Sequence, residues 1–128
     1  MNTLPQLLNF VMTTLQNSSL CSAVSIVSTK SYSNSQFIIK VRATMADGDN
    51  MLQVRFYCNG DHLDYAYQLV DGDTPLMRWD NKEHFPSLTS FPHHFHAENC
   101  RVEPSTLIGK PAHDLPIVLE HLRSVNRG

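Results

Sequence analysis

No run in the 128-residue sequence reaches the roughly 20 consecutive apolar residues that a membrane-spanning helix requires, so no membrane association is expected. Cysteine is scarce, and Cys21, Cys58 and Cys100 are far apart and free of CxxC spacing. A small secreted scaffold carries an even and denser set, so these three are expected to be buried, reduced thiols. The opening Met-Asn-Thr-Leu-Pro has no basic n-region, so no secretory signal is expected and the cytoplasm is the expected compartment. Positive charge is also short. Ten Lys and Arg against 12 Asp and Glu leave a formal net charge of −2. A protein that coats nucleic acid through a broad basic surface is usually more cationic, so any RNA contact is expected to be local and shaped.

What is present is a folding composition. Hydrophobic residues make up 41% and charged residues 17%, enough apolar material for a single core spanning residues 1–128 but not for two. Thr3 with Gln6 three residues on reads as a capping box, opening a helix with Leu4, Leu7, Leu8, Val11 and Leu15 on one stripe. Asn17-Ser18-Ser19 ends it. Short β-prone runs then follow: Ala23 to Thr29, Gln36 to Met45, Met51 to Cys58, His62 to Val70 and Pro75 to Trp79. The turns between them, with Gly48, Asn59-Gly60 and Asp71-Gly72-Asp73, are short enough to favour an antiparallel meander of about five strands. Asp114 can cap a closing helix bearing Leu115, Val118, Leu119, Leu122 and Val125, with Arg123 and Arg127 near its negative end. Both helices need an apolar sheet face to cover. The expected class is α+β.

Between the last strand run and that helix lies a segment of different character, Arg78 to His96. It holds four of the seven histidines, His84, His93, His94 and His96, together with the only tryptophan, Trp79. Pro86 and Pro92 forbid a continuous helix there. Three readings stay open on the residues alone. In the first, imidazoles act as general base and acid while Arg78 steadies a phosphate and Asp80 orients a ring. RNA suits that set, because its 2′-OH is a built-in nucleophile, its leaving oxygen needs a proton, and the charged intermediate needs a cation. In the second, an extended Phe91 to His96 puts His94 and His96 on one side as metal ligands, with His93 pointing away and His84 or Asp80 completing the site. In the third, Trp79 and Phe91 are core and the histidines are partly buried polar groups. Tyr65 and Tyr67 share one strand face and are candidates either for stacking on a base or for sheet packing. His62, His113 and His121 read as surface.

Asp64-Tyr65-Ala66-Tyr67-Gln68, Arg78-Trp79-Asp80-Asn81, His84-Phe85-Pro86 and Thr89-Ser90-Phe91-Pro92-His93-His94-Phe95-His96, in that order, resemble the TumE-like toxins of bacterial toxin–antitoxin pairs. The resemblance runs from about Met51 to His96, with a similar closing helix. The sequence departs from the pattern in having Phe85 where a second histidine is frequent, and Phe95 where lysine is frequent. The resemblance implies a toxin of a type II pair that acts on cellular RNA; that the segment works without a metal or other cofactor is the expectation from its residues. The resemblance also implies neutralisation by a helix-turn-helix antitoxin. An oligomer, either a homodimer or a complex with that antitoxin, is a further expectation. On the segment and this resemblance together, His93 and His94 are the expected general acid and base, with His84 and His96 supporting, Arg78 on the scissile phosphate and Asp80 orienting a histidine; Tyr65, Tyr67 and Trp79 are expected on the substrate.

Overall fold

The computed structural model describes residues 2–125. The chain opens with helix α1 (Leu4–Gln16), capped as the sequence predicts: Thr3 Oγ1 accepts from the Gln6 N–H, and the Gln6 side chain accepts from the Thr3 N–H. Seven strands follow, β1 (Cys21–Ser33), β2 (Gln36–Met45), β3 (Met51–Asn59), β4 (His62–Asp71), β5 (Thr74–Asp80), β6 (His94–His96) and β7 (Val102–Pro104). Helix α2 (Pro111–Val125) closes the fold. The strands lie side by side in chain order, each antiparallel to the next, forming one seven-stranded meander.

The expected architecture is present, with two strands more than the sequence suggests. β6 and β7 have three residues each, too short for a period-2 pattern to register. β1 is longer than its predicted run, continuing through the Ser-rich segment to Ser33 because β2 offers it a partner along that length.

Alternation sorts the sheet into two faces. Phe37, Ile39, Val41 and Ala43 of β2 stand opposite Cys58, Phe56, Val54 and Leu52 of β3, and this layer continues through Tyr65, Tyr67 and Leu69 to Trp79 and Phe95. Both helices cover that face, α1 with Leu7, Val11 and Leu15, and α2 with Leu115, Val118, Leu119 and Leu122. Each such fully buried side chain contributes about 1.5–3 kcal/mol over its exposed state. The opposite face carries Lys40, Arg42, Gln53, Arg55, Gln68 and Arg78 and, among the described residues, has no helix on it. This is the open face.

Three expectations need correction. Asp114 is not the N-cap of α2. The helix starts earlier, at Pro111, which suits a first turn because it lacks an N–H. From within that turn the fully buried Asp114 carboxylate accepts from the N–H groups of Ile108 and Gly109, at 2.9 and 2.8 Å. His121 is not a free surface residue, since its ring sits edge-on to Trp79 and Phe95, 5.2 Å from each. Cys100 is exposed, whereas Cys21 and Cys58 are half-buried, and all three are free thiols. Arg127 lies outside the described residues.

Candidate functional site

The segment Arg78 to Asn81 alternates like the strand it ends, and each residue does a different job. Trp79 points into the core, with its ring 4.7 Å from that of Phe95. Asn81 extends the β4–β5 pairing with its side chain, accepting from the Tyr65 N–H at 3.0 Å and donating to the Leu63 carbonyl at 2.8 Å. Arg78 and Asp80 stand on the open face, opposite His96 and His94 of β6 in register.

Asp80 is the hub, its side chain only 4% exposed. Its Oδ2 accepts from Arg78 Nε at 2.8 Å, and its Oδ1 accepts from the Lys82 N–H at 3.0 Å. His94 Nε2 lies 3.0 Å from Oδ1, and His96 Nε2 lies 3.8 Å from Oδ2. The other nitrogen of His94, Nδ1, donates to the Pro92 carbonyl at 3.1 Å, which fixes the ring orientation. His94 is buried, and His96 is 36% exposed over its side chain. Phe85 packs edge-on against both imidazoles, with ring centres 4.8 and 5.9 Å away, and so holds the loop over them.

A cavity of about 470 Å³ opens at this point, lined by Gln68, Arg78, Asp80, Lys82, His84 and His96 among others. Burial and the neighbouring His94 lower the His96 pKa; Asp80 opposes the shift, while Arg78 and His84 add to it. Its ring is thus biased toward the neutral, proton-accepting form. Asp80, His94 and His96 each offer one ligand atom, all within 4.8 Å of one another, the arrangement in which a cation could sit. The Arg78 guanidinium already supplies the positive charge on Oδ2, and a metal there would have to displace it or stand beside it.

The four histidines of the segment therefore divide. His84, His94 and His96 line the open-face cavity. His93 is turned to the helix-covered side, where its Nδ1 accepts from the Tyr65 hydroxyl at 2.8 Å and its ring stacks on that of Tyr65. Burial, with the carboxylates of Asp114 and Asp80, keeps the Tyr65 hydroxyl protonated well above its ordinary range, and burial lowers the His93 pKa. A neutral ring accepting from a phenol is the consistent state. The alternation that separates His93 from His94 and His96 was readable once the segment was taken as extended. Tyr65, Tyr67 and Trp79 are 2%, 0% and 5% exposed, so as placed they are core residues and do not line the cavity. Lys82, Gln68 and Phe85 do belong to the site's surroundings and were not singled out from the sequence. Gln68 was recoverable, because it shares a strand face with Ala66, opposite Tyr65 and Tyr67, and pairs in register with Arg78.

A helix-backed antiparallel sheet with a carboxylate, a guanidinium and imidazoles grouped on its bare face defines an α+β protein with a candidate acid/base centre. The sequence matches the family model described as Toxin TumE over residues 12–126, and the chain belongs to that toxin family. No curated protein and no solved structure matches it. As a member of a toxin family, it has an antitoxin as its expected counterpart. Among the described residues, no helix is long and apolar enough to cross a membrane.

Proposed function

We propose that this toxin is a metal-independent ribonuclease of a type II pair, acting in the cytoplasm and held in check by a helix-turn-helix antitoxin. The observation that carries this reading is the meeting of Arg78, Asp80, His84, His94 and His96 around one solvent-open cavity. In the reaction, His96 Nε2 takes the proton of the ribose 2′-OH. The freed oxygen attacks the adjacent phosphorus, and the bond to the 5′-oxygen breaks. His84, exposed on the cavity rim, delivers the proton that the leaving oxygen needs. The products are a 2′,3′-cyclic phosphate and a 5′-hydroxyl.

Arg78 donates to Asp80 only through Nε, which leaves its two terminal nitrogens outside that bond and available to a phosphorane oxygen. Asp80 and the buried His94 are positioning residues: they hold Arg78 and His96 in place and do not themselves reach substrate. His93, with Tyr65, Tyr67 and Trp79, supports the site from the core side.

The test is cleavage of a single-stranded RNA by purified toxin in excess chelator, with end-group analysis of the products. Cyclic phosphate ends, and a rate about 100-fold or more lower in His96→Gln, are the expected results. Intact RNA, or activity that disappears with chelator and returns with a divalent metal, would overturn the reading.

A further inference from the structure

The formal charge of −2 conceals how the charges are arranged. Of the ten Lys and Arg residues, Lys40, Arg42, Arg55, Arg78 and Lys82 line the cavities of the open face. Asp47, Asp49, Asp71 and Asp73 sit in or beside the turns at one end of the sheet. The cations are also in line. Arg42 pairs in register with Gln53, Gln53 with Gln68, Gln68 with Arg78, and Arg78 with His96. A second row, one pleat over, runs Lys40, Arg55, Ala66, Asp80, His94. The first row is cationic and amide throughout, and the second is cationic on β2 and β3 before Ala66 and Asp80; both lead from β2 to the histidines, over three inter-strand steps or about 14 Å between Arg42 and Arg78.

The floor between them is low, because Ala66 stands where the neighbouring positions carry long side chains. A cavity of about 290 Å³ lies over this floor, lined by Lys40, Arg42, Gln53, Arg55, Gln68 and Arg78, and walled on the β1 side by Val27. Val27 is the extra residue of a bulge in β1, between the Ile26–Val41 and Ser28–Lys40 pairs. The Nε of Arg42 is buried and has no hydrogen-bond partner among the described residues. The acidic groups near the face are Asp80, already held by Arg78, Glu98 at the cavity of the histidines, and Asp64 and Glu83, which share a cavity with Lys40, Arg55 and Lys82.

We infer that the open face of the sheet is a binding track for the phosphodiester backbone of single-stranded RNA, with Lys40, Arg42 and Arg55 on phosphates and Gln53 and Gln68 donating and accepting between them. The inference rests on the ribonuclease reading for its choice of polyanion. The row that starts at Arg42 ends at His96, so the track would feed the scissile bond to the site. Cation–phosphate contacts of this kind position a chain without reading its sequence.

The test uses the full chain carrying His96→Gln, so that RNA is bound and not cut, and a fluorescein-labelled oligouridylate as probe. Anisotropy titrations between about 50 and 200 mM salt give the affinity and its salt slope. Adding Lys40→Gln, Arg42→Gln and Arg55→Gln should weaken binding at least about tenfold at the low-salt end and flatten the slope by about 2, the effect of three lost phosphate contacts on a single strand. The charge-matched control Arg101→Gln, Lys110→Gln, Arg123→Gln, off the face, should leave both unchanged; circular dichroism verifies that both variants fold. Equal losses in the two triple variants would overturn the track, as would full competition by oligoglutamate lacking nucleotides, since the face would then be a surface for an acidic protein segment. RNA cleavage that persists beside such a result would leave the ribonuclease reading standing. Track-specific binding without any cleavage by the wild type would do the reverse.

Discussion

Replacing Asp80 by asparagine keeps the shape of the side chain at the hub and removes its charge. In the native protein both carboxylate oxygens are occupied by donors, Arg78 Nε at 2.8 Å and the Lys82 N–H at 3.0 Å, with His94 Nε2 a further 3.0 Å contact. An asparagine offers one oxygen and one NH₂, so one donor must face another donor. The loss is one charge-assisted hydrogen bond, about 1.5–3 kcal/mol, in a site where the partner carboxylate is almost fully buried. The larger figure of about 3–5 kcal/mol for breaking a buried pair does not apply, because Arg78 keeps 29% of its side chain exposed and can turn to water. The expectation for Asp80→Asn is therefore about 2–3 kcal/mol, in a domain whose total stability is on the order of 5–15 kcal/mol. The variant stays folded but melts earlier. Urea denaturation followed by tryptophan fluorescence measures this directly, since Trp79 is the neighbouring residue. A stability change below about 0.5 kcal/mol, the scale of an exposed pair, would refute the hub role.

Three further outcomes follow from the same geometry. The His96 pKa is lowered in the fold, so below about 6.5, the ordinary histidine value, the unfolded chain takes up a proton that the folded site resists. Stability should fall as pH drops through that value, and His96→Gln should make the decline between about pH 7 and 5 shallower in denaturation curves; an unchanged slope would contradict the assigned shift. Gly109 has φ +85° and would place a Cβ 3.3 Å from His93 Cε1, so Gly109→Ala should cost about 1–2 kcal/mol, and a neutral result by thermal melting would mean that the turn before α2 relaxes freely. The Tyr67 hydroxyl is buried without a partner among the described residues, so Tyr67→Phe should be neutral or stabilising by up to about 1 kcal/mol; a clear loss of stability would reveal a partner for it.

The sequence makes the fold legible wherever a period or a cap has room to register. Thr3 and Gln6 specify the start of α1, and the alternation of β2 and β3 separates the core face from the open one before any coordinates are seen. β6 is invisible for a physical reason: three residues carry no period, and its pairing depends on where β5 ends. The site is legible in part. Alternation already separates His93 from His94 and His96, but only the β5–β6 register brings that pair to Arg78 and Asp80, and only the fold brings His93 to Tyr65. The aromatic residues of β4 show the converse. Residue type alone made Tyr65 and Tyr67 candidates for substrate contact, and the side of the sheet they occupy puts them under the helices.

The account stands or falls on which side of the strand does the chemistry, and one comparison reaches that directly: cleavage of the same RNA in chelator by the wild type, His96→Gln and His93→Gln, at matched fraction folded. The account predicts a loss of about 100-fold or more for His96→Gln and at most a few-fold for His93→Gln. A wild-type rate in His96→Gln, or the larger loss in His93→Gln, would contradict it.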